Sequence, residues 1–109
     1  MTPNDVIPEI RRAVNDPNAI RWSDAVIRSY LLAAEKEIVC SNPEFQYKTK
    51  VQNVEPVLLT SNTQEMTLTD DIQMAVVYYV AARIFSEDAE DSVNQRNAAF
   101  FLKLYKESL

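Results

Sequence analysis

Glu87, Asp88, Glu90 and Asp91 form the densest set of potential ligands in the chain. Carboxylate oxygens suit a hard cation, but a calcium loop of the EF-hand kind alternates its ligands around a central glycine and closes on a distal glutamate. That spacing is missing here, and acids gathered before a helix N-terminus and left in water account for the run. Asp70 and Asp71 would make an acid/base pair only if they faced each other. Adjacent residues at a helix start point apart, and a capping role explains both. Cys40 has no histidine to activate it and reads as an inert, partly buried thiol. Arg11, Arg12, Arg21 and Arg28 are interspersed with acids and show no basic face that could track phosphates.

Two absences narrow the chemistry further. With 0 His and 0 Gly, the chain lacks the usual general base and metal ligand, and also the glycine loops through which a backbone approaches phosphate. The expectation is therefore a protein that is not an enzyme and holds neither cofactor nor metal. The balance of 11 Lys plus Arg against 16 Asp plus Glu, a net charge of −5, argues against affinity built on neutralising phosphates. Residues 1–50 carry 7 basic and 7 acidic side chains and residues 51–109 carry 4 and 9, so the acidic excess lies in the second half. A single Cys excludes an internal disulfide, and no basic-then-apolar N-terminus suggests a signal peptide. Met74 to Ala82 is the longest apolar run, far short of the roughly 20 residues a bilayer requires, so no membrane role is expected. A length of 109 residues suits one domain with one core.

The elements follow from punctuation and period. A first helix over about 5–15 starts with Asn4 or Asp5 as its cap, holds Pro8 in its first turn and faces Ile7, Ile10 and Val14 inward; Asn15 to Asn18 end it. The second, about 24–39, has the clearest start in the chain: Ser23 caps it, Asp24 meets the positive end of its dipole, and Trp22 staples onto Ile27. Its stripe of Ile27, Tyr30, Leu31, Ala34 and Ile38 has the spacing of a helix buried on one face. A third helix, about 70–85, is capped by Thr69 or Asp70 and is apolar all round, so it must be central, covered by another subunit, or both.

The fourth helix, about 92–107, bears two apolar stripes, one of Val93, Asn97, Phe100 and Leu104 and one of Ala98, Phe101, Leu102 and Tyr105. Neighbours such as Tyr78 and Tyr79, or Phe100 and Phe101, point about 100° apart on a helix and cannot fill one cavity, so the surplus reads as evidence of self-association. Between helices two and three the period changes to two. Phe45, Tyr47, Thr49 and Val51 alternate with polar residues, and Val57–Thr60 with Glu65–Leu68 bracket a turn, which predicts a small β-hairpin insertion within about 44–68. The expected architecture is mainly α, a four-helix bundle in a single domain.

The pieces Asn15-Asp16, Arg21-Trp22-Ser23-Asp24 and Tyr30 to Ile38, with Leu68-Thr69-Asp70-Asp71, Tyr79 to Arg83, Asp88 to Asp91 and Asn97-Ala98-Ala99 before Phe101, resemble the helices of tailed-bacteriophage head-tail connector proteins, the adaptor or head-completion group. The resemblance implies a structural virion protein, present in host cytoplasm before assembly and in the head-tail neck afterwards. Many copies, a dodecamer, would form a ring under the portal and join head to tail, with DNA passing through unbound. Its partners would be further copies of itself, the portal protein and a tail or tail-completion protein. On that footing Phe45, Tyr47, Tyr78, Tyr79, Phe100 and Phe101 are subunit-interface candidates, and Leu104, Tyr105 and Leu109 are portal-docking candidates. Glu87, Asp88, Glu90 and Asp91 would line a channel whose like charge repels DNA. The competing reading is a small acidic regulatory module that occupies the nucleic-acid-binding surface of a host protein.

Overall fold

The computed structural model describes residues 1–16, 21–41, 56–68, 70–87 and 92–108, and among them it is helical: α1 (Pro3–Val14), α2 (Asp24–Ser41), a 3-10 turn (Asp70–Ile72), α3 (Gln73–Glu87) and α4 (Ser92–Glu107). The expected four-helix arrangement is present. The cap of α1, however, is Thr2 and not Asn4 or Asp5. The Asp5 carboxylate accepts the Thr2 backbone N–H at 2.8 Å and its hydroxyl at 3.1 Å, which closes the helix start and holds the Asp5 carboxyl below its usual range. Pro8 consequently lies inside the helix rather than in its first turn. It offers no N–H to the Asn4 carbonyl, and both residues are exposed, so water can take that bond. Asn15 ends α1 in the left-handed region at φ 57°, the role glycine usually takes and one that asparagine tolerates in a chain with 0 Gly.

At α2 the sequence signal holds. Ser23 Oγ accepts the Val26 N–H at 3.3 Å, and Trp22 is half-buried against the core that contains Ile27. Ser23→Ala is expected to cost about 1 kcal/mol, seen as a lower urea midpoint with an unchanged slope.

The central element is α3. Val76, Val77, Val80, Ala81 and Ile84 are buried on it, and α1, α2 and α4 all pack against it. Of the two explanations for its all-round apolarity, the central position is present within one chain. The core is completed by Val6, Ile7, Ile10 and Val14 from α1 and by Ile27, Leu31, Ala34 and Ile38 from α2.

The β-hairpin insertion is absent from the described residues. No strand occurs among the described residues, and residues 56–68 run as an irregular segment with a turn near Asn62. Their backbone groups bond elsewhere than to a partner strand. The Gln64 side chain takes the Thr60 N–H and donates to the Leu58 carbonyl, both at 2.9 Å. The Asn62 carbonyl accepts from the Asn4 N–H at 3.0 Å, the Met66 N–H goes to the Met1 carbonyl at 2.8 Å, and Glu35 takes the Leu68 N–H at 2.8 Å. With no glycine to supply a tight hairpin turn, the segment instead drapes over the ends of α1 and α2 and buries Leu59, Met66 and Leu68. The alternating residues Phe45 to Gln52 lie outside the described residues.

Candidate functional site

A polar node joins the facing ends of α1 and α2. Arg11 sits in the buried stripe of α1 beside Ile7, Ile10 and Val14, only 7% exposed. Its guanidinium donates to Asp16 Oδ2 at 3.2 Å, to the Trp22 carbonyl at 2.9 Å and to Asp24 Oδ1 at 2.5 Å. Asp16 is itself buried and also accepts the Trp22 N–H at 3.2 Å, so this pair closes the chain between the two helices. Asp24 receives the Asn62 amide at 2.9 Å, and Asn62 in turn accepts from Arg28 at 2.6 Å. Arg11 first and Asn62 second hold the Asp24 carboxyl below its usual range. A cleft of about 490 Å³ opens beside the node, bordered by Asn4, Pro8, Arg12 and Asn15. Arg11 faces the Asp16 and Asp24 carboxylates and the Trp22 carbonyl, which makes the node a structural clasp rather than an anion site.

Glu35 is the second buried charge. It is fully enclosed on α2, with Oε2 bonded to the Leu68 N–H and Oε1 unpartnered among the described residues. Burial pushes its carboxyl above the usual range, with the Leu68 and Thr67 N–H groups acting the other way.

The surface that lends itself to binding is on α4, which packs on α3 alone among the described elements. The stripe of Ala98, Phe101 and Tyr105 faces α3: Phe101 stacks on Tyr78 and Phe85 at 6.2 and 5.7 Å between ring centroids, and Tyr105 meets Tyr79 edge-on at 5.3 Å. The other stripe faces away. Phe100 is 57% exposed and Val93 55%, with Leu104 half-buried at the edge. On the opposite flank of α4, a shallow apolar groove of about 220 Å³ runs between α3 and α4, lined by Tyr79, Ala82, Ala98, Ala99 and Leu102.

These positions sort the interface candidates. Phe100 presents itself outward, whereas Tyr78, Tyr79 and Phe101 are half-buried in aromatic contacts within the chain. Tyr105, expected to dock a portal, is buried, and its hydroxyl is pushed up to about 12, chiefly by that burial. Phe45, Tyr47, Leu109, Asp88, Glu90 and Asp91 lie outside the described residues. Glu87 is exposed but engaged, accepting from the Tyr30 hydroxyl and lying 3.7 Å from the Arg83 guanidinium. Cys40 is exposed rather than partly buried. Arg12 pairs with Glu9, and Arg21 lies 4.7 Å over the Trp22 ring, so neither adds to a basic face.

Read from the sequence, Arg11 is weighed only as a phosphate contact and Asp16 only as part of a helix-ending turn, and Glu35 and Asn62 receive no site role. For two of them a signal existed: Arg11 falls within the i, i+3, i+4 stripe of α1, and Glu35 lies between Leu31 and Ile38 on the buried stripe of α2. Among the described residues no group of three or more His, Cys, Asp or Glu could hold a metal ion, and no helix is long and apolar enough to cross a membrane. No protein family, curated protein or solved structure matches the chain.

Proposed function

We propose that this protein is a structural adaptor of a tailed-phage neck, assembling as a ring of identical copies, a dodecamer, between the portal of the head and the tail. The observation that carries the reading is the outward stripe of α4. A helix leaning on one neighbour keeps Phe100 and Val93 in water, a cost that is removed when another surface covers them. The rest of the chain is built to hold that helix still: α3 is gripped by α1 and α2, and the Arg11 node locks the connection between those two helices. A rigid platform bearing one exposed apolar helix suits mechanical joining of large parts.

The test is light scattering of the purified protein alone and with the portal protein of the same genome. The expected result is a multimer of defined mass on the portal. Phe100→Glu puts a charge into the covered stripe and is expected to weaken that assembly at least about tenfold while leaving the helical circular dichroism unchanged. A wild-type protein that ignores the portal at every concentration removes the reading.

A further inference from the structure

We infer that Glu35 is a proton-linked latch for the 56–68 segment: the end that carries Met66 and Leu68 lifts from α2 more readily as pH rises, while the helices stay packed. The layout of the fold allows that end to move by itself. Among the described elements α3 packs on α1, α2 and α4, so the bundle closes without the segment. The segment has neither helix nor strand and is tied at two places. Its Asn62 turn is bonded to Asn4, Asp24 and Arg28 near the starts of α1 and α2, and its far end is bonded to Met1 and Glu35. A part held by a few bonds and two buried side chains, Met66 and Leu68, opens at lower free energy than the whole fold.

The group beneath that end is an enclosed carboxylate. Glu35 is fully buried on α2, its Oε2 takes the Leu68 N–H at 2.8 Å, and no ion pair reaches it among the described residues. Its surroundings bring little charge. On α2 itself, Lys36 and Glu37 point to solvent. Of the two helices packed on α2, α3 buries only apolar side chains, and the buried cation of α1, Arg11, is bonded to Asp16, Asp24 and the Trp22 carbonyl. The charge that does act on Glu35 is the Met1 amine, which Glu65 and Asp70 already hold at 2.7 and 3.1 Å.

Lifting Leu68 lets water reach the carboxylate, so the open form favours the charged group that the closed form disfavours. Opening therefore releases a proton wherever pH lies above the ordinary glutamate value of about 4.3 and below the enclosed one. Each unit of pH in that window raises the opening constant by up to about tenfold. Other groups stay silent there. With 0 His, the chain has no side chain whose ordinary pKa falls between about 5 and 8. Asp24, held below its usual range, is already ionised, and the Met1 amine, held above its usual value of 8.0, stays protonated.

The experiment is amide hydrogen exchange of the full chain between about pH 4.5 and 7.5, each rate divided by its intrinsic value to give an opening constant. The Leu68 and Met66 N–H groups should share one opening constant, larger than that of Val80 in the middle of α3, and it should climb with pH at up to about tenfold per unit before levelling off. Glu35→Gln keeps the acceptor for Leu68 and removes the titration. Its opening constant should be flat with pH and, near neutrality, smaller than that of wild type. A Leu68 that opens only together with Val80 overturns the inference, as does a wild-type opening constant that ignores pH or falls as pH rises. A climb that survives Glu35→Gln belongs to another group and overturns it as well. Should that variant not fold, NMR titration of the Glu35 carboxyl carbon in wild type takes its place: its midpoint must coincide with the pH at which the climb levels off, and a midpoint elsewhere refutes the latch.

Discussion

Arg11→Ala lowers the unfolding free energy by about 3–5 kcal/mol, the range expected when one member of a buried ion pair is removed and its partner stays behind. Asp16, with only 5% of its surface exposed, loses the guanidinium that lies 3.2 Å from its carboxylate. The Trp22 carbonyl loses its donor in the same stroke. Asp24 contributes less, because nearly half of its side chain reaches solvent, where water screens the charge. By contrast Arg12→Ala, which breaks only an exposed pair with Glu9, should stay within about 0.5 kcal/mol of wild type.

Arg11→Met separates packing from charge. It restores much of the buried volume yet still deprives the Asp16 carboxylate of the Arg11 guanidinium, so it remains strongly destabilised, and adding Asp16→Asn should recover part of the loss. The dependence on pH has a definite sign. Asp24 ionises in the folded state below its usual range, so its contribution is complete above the ordinary carboxylate pKa of about 4 and disappears as pH falls through the folded value. Arg11→Ala, by removing the largest cause of that shift, flattens this acid limb. Urea unfolding of wild type and variant at neutral and at acid pH measures both effects. Equal stability of the two proteins at neutral pH would refute the clasp.

Glu35→Gln works in the opposite direction and raises stability at neutral pH by about 1–3 kcal/mol. The glutamine oxygen still accepts the Leu68 N–H, while the charge that burial penalises is gone. Because the folded Glu35 carboxyl titrates above its usual range, its favourable contribution is complete below the unfolded pKa of about 4.3 and is lost as pH rises through the folded value. The gain from Glu35→Gln must therefore shrink as pH falls toward 4.3. Glu35→Ala removes the acceptor as well and opens a cavity, so it destabilises by about 2–3 kcal/mol at low pH and by less as pH rises through the folded value. A Glu35→Gln protein that is weaker than wild type at neutral pH, by a margin that shrinks as pH falls, would show that Oε1 has a partner that the carboxylate alone satisfies.

Asp24 and Glu35 are both carboxylates on α2, and their environments drive them apart. One faces an arginine and an amide; the other faces a core and two backbone N–H groups. Stability near neutrality rests on the first and is reduced by the second.

The helices were legible in the sequence because helix formation is governed by residues three or four apart. Ser23 marked the start of α2, the inward residues of α1 and α2 were the expected ones, and α4 spans the residues its stripes delimit. The outward half of α4 was legible for the same reason, since two stripes on one helix exceed what a single neighbour can cover. The 56–68 segment was not. Its alternation is real, but a strand needs a partner to take its backbone bonds, and here Gln64, Asn4, Met1 and Glu35 take them instead.

Local pattern alone therefore determined the helical class, the helix limits to within a few residues, and the apolar surplus on the last helix. Tertiary structure alone decided which polar groups could be buried. Arg11 meets Asp24 across 13 residues, Glu35 meets Leu68 across 33, and Asn62 meets Asp24 across 38. A charge inside an apolar stripe is tolerable only where such a distant partner arrives, and no periodicity within one helix carries that information.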